Sequence, residues 1–228
     1  MCEGNVRRIL SAQWVLILII GLTVQQSCRD SGIELTLEPL PAAKDSIIAL
    51  HVGNRWLWHI TTYALDGSGS TYLDSMKIDS AQTVGTDKWF FPGNPYTDLA
   101  YANRIDGCYY KSFNGIPPTP DFLYYKYPAR KNDIYKAPVA FFSGSSVYIV
   151  DTRRVMTVLS TDTSITVPAG TFRGYLYRYD YTDGSSYWRE FLAPSVGWVR
   201  VETFARTLNG QYFRVALKEL VQFVPGPP

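Results

Sequence analysis

Four short turn signatures, each set between runs of alternating apolar and polar residues, constrain this chain more than any other feature. In RWLWHITTYALDGSGSTYLDSMKI, Trp56, Trp58, Ile60 and Thr62 alternate with Leu57, His59, Thr61 and Tyr63, and a glycine-serine turn at Asp66 to Ser70 joins that run to the next. Asp106-Gly107 in YANRIDGCYYKSF, Asp183-Gly184 in YRYDYTDGSSYWREF and Asn209-Gly210 in RTLNGQYFRVAL repeat the device. Such dipeptides supply the positive φ angles of tight hairpins, and a period of two sends successive side chains to opposite faces of a strand. Further β-branched and aromatic runs at Asp121–Pro128, Arg154–Thr161, Gly197–Phe204 and Phe213–Phe223 fit the same scheme. The expected fold is mainly β: an antiparallel meander forming a curved sheet or half-barrel, with few short helices. The best helical candidates are Lys44–Leu50 and Asp87–Phe91.

Two local patterns carry finer expectations. In the last strand Phe213, Val215, Leu217, Val221 and Phe223 fall on one side and Arg214, Lys218 and Gln222 on the other, which leaves one face wet. Glu219 interrupts the apolar side and reads as the mark of a β-bulge. In SITVPAGTFRGYLYRYDY, Pro168 withholds a backbone donor and Gly170 permits an unusual φ, so Val167–Phe172 reads as the corner between two strands rather than as a ligand loop.

The N-terminal segment differs from the rest. Arg7 and Arg8 precede the apolar run WVLILIIGLTV, which is too short for a spanning helix of roughly 20 residues and has the form of a secretory signal. The sequence QQSC that follows resembles a bacterial lipoprotein signal, in which cleavage leaves an acylated cysteine, here Cys28, as the first residue. Gln25 stands where an aliphatic residue is usual, and an ordinary cleaved signal or an uncleaved anchor are the alternatives. Arg29 follows the cysteine in place of the aspartate that retains many lipoproteins at the inner membrane, which favours the outer membrane. The expected division is a signal over residues 1–27, a lipid-anchored tether over 28–46, one β domain over 47–224 and a tail over 225–228.

Three cysteines, Cys2, Cys28 and Cys108, cannot make a disulfide scaffold, so stability must come from packing; a Cys28–Cys108 bridge competes with lipidation. A net charge of +2 and no basic cluster longer than Arg153-Arg154 exclude nucleic acid as the expected partner. His51 and His59 in HVGNRWLWH have no metal-site spacing, and no nucleophile or phosphate-loop motif is present, so no cofactor or metal is expected. Cys108 has no partner histidine in a recognisable pattern. Glu190, Glu202, Asp180 and Asp151 are the acids that could meet in space as a glycosidase pair.

Aromatic residues make up 15% of the chain, with 17 tyrosines, an excess that either knits the sheet through cross-strand pairs or forms a stacking surface for a ligand. Tyr175, Tyr177, Tyr179 and Tyr181 share one strand face, and Tyr125 and Tyr127 share another. The ligand-facing candidates are Trp56, Trp58, Tyr125, Tyr127, Tyr177 and Trp188.

The phrases HVGNRWLWHITTY, LYYKYPARKNDIY, TVPAGTF and APSVGWVRVE, in this order, resemble uncharacterised secreted or lipid-anchored proteins of Bacteroidota and related bacteria. The pairing of VPAGTF with a later PxxGWV is also similar to a larger periplasmic family of unknown function. The likeness runs from Leu50 to Phe223 and implies a β-rich domain in the cell envelope, with no catalytic residues to carry over. The expectation is a non-enzymatic envelope lipoprotein with an interaction or ligand-holding domain. Its partners would be the membrane, through the anchor, and an apolar or glycan ligand or an envelope protein. Two rival readings make different demands: a carbohydrate-binding module needs coplanar, exposed rings, and a hydrolase needs two carboxyl groups roughly 5–10 Å apart in a cleft.

Overall fold

In the computed structural model, residues 46–93, 99–113, 119–142, 148–151 and 153–227 are described, and every regular element among them is a β-strand. The strands are β1 (Arg55–Tyr63), β2 (Gly69–Val84), β3 (Asp87–Pro92), β4 (Leu99–Arg104), β5 (Gly107–Ser112), β6 (Phe122–Lys126), β7 (Ile134–Lys136), β8 (Val139–Phe142), β9 (Tyr148–Asp151), β10 (Arg154–Val167), β11 (Gly170–Tyr181), β12 (Ser186–Ala193), β13 (Gly197–Arg206) and β14 (Tyr212–Val224). The four turn signatures join β1 to β2, β4 to β5, β11 to β12 and β13 to β14, and Gly184 and Gly210 take the positive φ values, 67° and 85°, that the tight turns require. The VPAGTF corner falls between β10 and β11, with Val167 opposite Gly170. The expected short helices are absent among the described residues. Asp87–Phe91 lies in β3, where Trp89 and Phe90 are both buried, so the strand's alternation is hidden in the sequence. Residues 46–50 are irregular, with Ile48 bridging Val196 in parallel, and Lys44 and Asp45 lie outside the described residues.

Twelve strands form one antiparallel sheet in the order β6-β5-β4-β3-β2-β1-β14-β13-β12-β11-β10-β7, and β8 and β9 pair separately. β2 turns a corner: Gly69–Lys77 pairs with β1, Ile78–Val84 pairs with β3, and the register shifts between Ile78 and Ser80. Beyond that corner β3–β6 folds over the concave side of the larger limb, so that the Tyr125 ring on β6 lies 5.2 Å from Tyr177 on β11 and 6.2 Å from Trp198 on β13. The core is the space between, filled by Trp56, Trp58, Ile78, Cys108, Tyr125, Met156, Tyr177, Phe191 and Leu220. Each such aromatic side chain contributes about 1.5–3 kcal/mol by leaving water. The indoles also satisfy their N–H groups. Trp56 Nε1 donates to the Val196 carbonyl at 2.8 Å, Trp58 Nε1 to the Trp198 carbonyl at 3.1 Å, and Trp198 Nε1 to the Tyr125 hydroxyl at 2.8 Å.

The sheet curls without closing into a barrel. Its two edges, β6 and β7, are consecutive in the chain, and side chains rather than a backbone ladder span the gap. The Tyr135 hydroxyl accepts from the Lys126 N–H and donates to the Tyr124 carbonyl, both at 3.1 Å, while the Tyr177 hydroxyl donates to the Lys126 carbonyl at 2.9 Å.

β14 corrects the simple alternation expected of it. Leu57 faces Gln222 while Trp58 faces Leu220, leaving Val221 as an extra residue; Thr203 faces Ala216 while Phe204 faces Arg214, leaving Val215 as another. Each bulge reverses the parity of the strand. Lys218 and Leu220 therefore share the inner face with Trp58, and Leu217 and Glu219 share the outer face with Glu202 and His59. The bulge that Glu219 suggested lies two residues further on.

Candidate functional site

A cavity of about 450 Å³ opens between the two limbs on the concave side. β1 and β13 contribute Trp58, Trp198 and Val201; the covering limb contributes Tyr101 and Tyr124; β11 and β12 contribute Tyr179, Tyr181 and Trp188. The period of two explains this convergence. Tyr179 faces Trp188 across the β11–β12 ladder with rings stacked at 4.8 Å, and Tyr181 stands edge-on to Trp188 at 5.5 Å. The size falls within the usual range for small-molecule sites, roughly 300–1,000 Å³.

Four charged residues line this aromatic chamber: Arg154 from β10, Lys218 from β14, Glu190 from β12 and Asp74 from β2. Lys218 Nζ reaches Asp74 at 3.0 Å and lies 3.8 Å from the centre of the Trp58 ring. Arg154 stacks its guanidinium on Tyr179, 3.4 Å from the ring centre. Glu190 is buried and accepts a hydrogen bond from the Tyr125 hydroxyl, which itself accepts from Trp198. Burial dominates the titration of all three. It pushes the Glu190 carboxyl up, against the Tyr125 hydrogen bond and the charges of Arg154 and Lys218. It pushes Lys218 down, against Asp74, and Arg154 down as well. The Tyr179 hydroxyl and Arg154 Nε are buried with no hydrogen-bond partner.

The six ligand-facing candidates separate in space. Trp58 and Trp188 line the cavity. Trp56, Tyr125 and Tyr177 are wholly buried behind it, with Tyr125 holding Glu190 in place. Tyr127 lines a smaller hollow of about 250 Å³ with Ser46, Asn103 and Arg104, and packs edge-on against Tyr175. Trp56 and Trp58 are nearly parallel, at 5°, but both are buried, so they offer no exposed platform for a sugar.

Among Glu190, Glu202 and Asp180, no pair assembles in the cavity. Arg189 faces Glu202 and Glu190 faces Val201 across the β12–β13 ladder, which puts Glu190 on the cavity side and Glu202 on the other. There Glu202 is held by Arg189 at 2.7 Å, Arg200 at 2.9 Å and Arg214 at 3.4 Å. Asp180 also faces away from the cavity, opposite Tyr187 and paired with Arg178. The Asp151 side chain lies outside the described residues, as do Cys2 and Cys28. Cys108 is buried with a thiol that burial pushes up, so it is not a ready nucleophile. Both histidines are exposed and neither lines the cavity. Arg154, Lys218, Asp74, Tyr101 and Tyr124 are among the cavity residues that sequence reasoning missed.

No family model matches the chain, and no curated protein matches its sequence. Two solved structures are similar in part. One is a protein of Parabacteroides distasonis provisionally described as a lipoprotein, with 17% identity, TM-score 0.48, and coverage of 79% of this chain and 99% of that one. The other is a protein of Bacteroides fragilis provisionally described as exported, with a YmcC-like fold, 14% identity, TM-score 0.44, and coverage of 79% and 100%. At these values the likeness assigns neither a family nor an activity.

Proposed function

We propose that this is an exported, non-enzymatic envelope protein, anchored through an acylated Cys28, whose β domain holds a small ligand in the concave cavity. One observation carries the ligand-holding part: a chamber of about 450 Å³ walled by aromatic rings beside a packed aromatic core. The non-enzymatic reading is supported by the pairing of Asp74, the second carboxylate of the cavity beside Glu190, with Lys218, and by the buried Cys108 thiol, which burial pushes up. Export and anchoring rest on the N-terminal segment, from Arg7 and Arg8 to Cys28.

The test uses a neutral aromatic probe, N-phenyl-1-naphthylamine, with the soluble chain. The expected result is saturable probe fluorescence at one site, weakened by Val201→Phe, which fills the cavity from β13. Failure to bind, or binding untouched by that substitution, refutes the cavity as a ligand site.

A further inference from the structure

Several partly buried cations of this domain are held by an acid, whereas Arg154 forms no ion pair among the described residues. Lys218 reaches Asp74, Arg178 pairs with Asp180, Arg104 with Asp87 and Asp121, and three arginines share Glu202. Arg154 lies on Tyr179 with its Nε buried and unpartnered, and among the described residues no carboxylate forms an ion pair with it. A guanidinium carries five N–H donors in a planar fork suited to a carboxylate, sulfonate or phosphate. Beside it the Tyr179 hydroxyl is equally without a partner. Both line the one chamber where Trp58, Trp188 and Tyr181 offer stacking surface.

We propose that the cavity is specific for an amphipathic anion, whose planar or apolar body lies among Trp58, Trp188 and Tyr181 and whose single acidic group meets Arg154 and the Tyr179 hydroxyl. This rests on the reading of the cavity as a ligand site and adds the charge of the ligand. Lys218, although paired with Asp74, lends a second positive centre across the chamber. Glu190 also lines the chamber, and burial pushes its carboxyl up, which lessens its competition with the anion for Arg154.

The experiment compares two probes with the same ring system, 1-anilinonaphthalene-8-sulfonate and neutral N-phenyl-1-naphthylamine, on the wild-type chain and on Arg154→Met and Arg154→Lys. Arg154→Met keeps an unbranched apolar stem and removes the guanidinium, and its melting curve reports whether it folds. The expected result is that Arg154→Met weakens the sulfonate by about tenfold to hundredfold, the scale of a lost hydrogen bond to a charged group, and leaves the neutral probe within about twofold. Arg154→Lys recovers part of the loss. If the neutral probe binds but the sulfonate does not, or if Arg154→Met affects both probes alike, the anion specificity is overturned and the cavity stands as a neutral site. If neither probe binds, the ligand-holding reading falls with it.

Discussion

Removing one oxygen atom, by Tyr125→Phe, isolates the energetics of the cavity floor. The Tyr125 hydroxyl accepts from Trp198 Nε1 at 2.8 Å and donates to Glu190, and all three residues are buried. Phenylalanine keeps the ring where it packs, 4.2 Å from Tyr124 and 5.2 Å from Tyr177, so there is no cavity term. What is lost is a partner for an indole N–H and another for a carboxyl group, each worth about 1–3 kcal/mol when orphaned in the interior. We expect a loss of about 2–6 kcal/mol at neutral pH, a large part of the roughly 5–15 kcal/mol that stabilises a domain. The loss also depends on pH. The Tyr125 hydrogen bond favours the ionised form of Glu190 against burial, so without it the folded chain holds its proton to higher pH than wild type does. Stability of the variant then falls further as pH rises through that titration, and the deficit is smallest in acid, where Glu190 is protonated folded and unfolded. Urea unfolding followed by tryptophan fluorescence, at about pH 4 and pH 7, measures both quantities, with an unchanged denaturant slope as the control for two-state behaviour. A loss below about 0.5 kcal/mol at neutral pH, the scale of ordinary surface changes, or an equal loss at both pH values, refutes the reasoning.

Glu190→Gln tests the same carboxyl from the other side. The folded chain holds the Glu190 proton above the ordinary carboxylate range, so wild-type stability declines as pH rises from the ordinary value through the raised one, with a slope of at most about 1.4 kcal/mol per pH unit for one proton. Glutamine still accepts from Tyr125 and has no such slope, so the variant should match wild type in acid and exceed it at neutral pH; a less stable variant at neutral pH contradicts the assignment. For the anchor, mass spectrometry of the mature N-terminus in a bacterial host should find acylated Cys28, and an unmodified first residue elsewhere would sink that proposal.

The path of the chain was legible because its turns are. Asp106-Gly107, Asp183-Gly184 and Asn209-Gly210 mark hairpins through local φ demands, and these survive whatever the rest of the fold does. The site was less legible because it depends on where alternation breaks. Lys218 reads as a solvent residue in an unbroken strand, and only the extra residues at Val215 and Val221 turn it toward Trp58. Trp56 and Trp58 are two residues apart on one inner face, yet one is sealed in the core and the other borders the cavity, a difference set by the covering limb and not by the strand itself. Glu190 and Glu202 looked interchangeable as acids, and the parity of two neighbouring strands places them on opposite sides of the sheet.

The tyrosine stitches between β6 and β7 bear on how the domain can vary. In a closed barrel the number of strands and their stagger fix the radius, so the interior can widen only by re-registering whole strands. Here hydroxyl groups of Tyr135 and Tyr177 occupy the edge groups of Lys126 and Tyr124, which denies that edge to a strand from another molecule while leaving the circumference free of a fixed stagger. The width of the chamber is thereby governed by the bulk of the side chains between the limbs, and relatives of this chain could accommodate larger or smaller guests by exchanging a few rings without altering a single strand pairing.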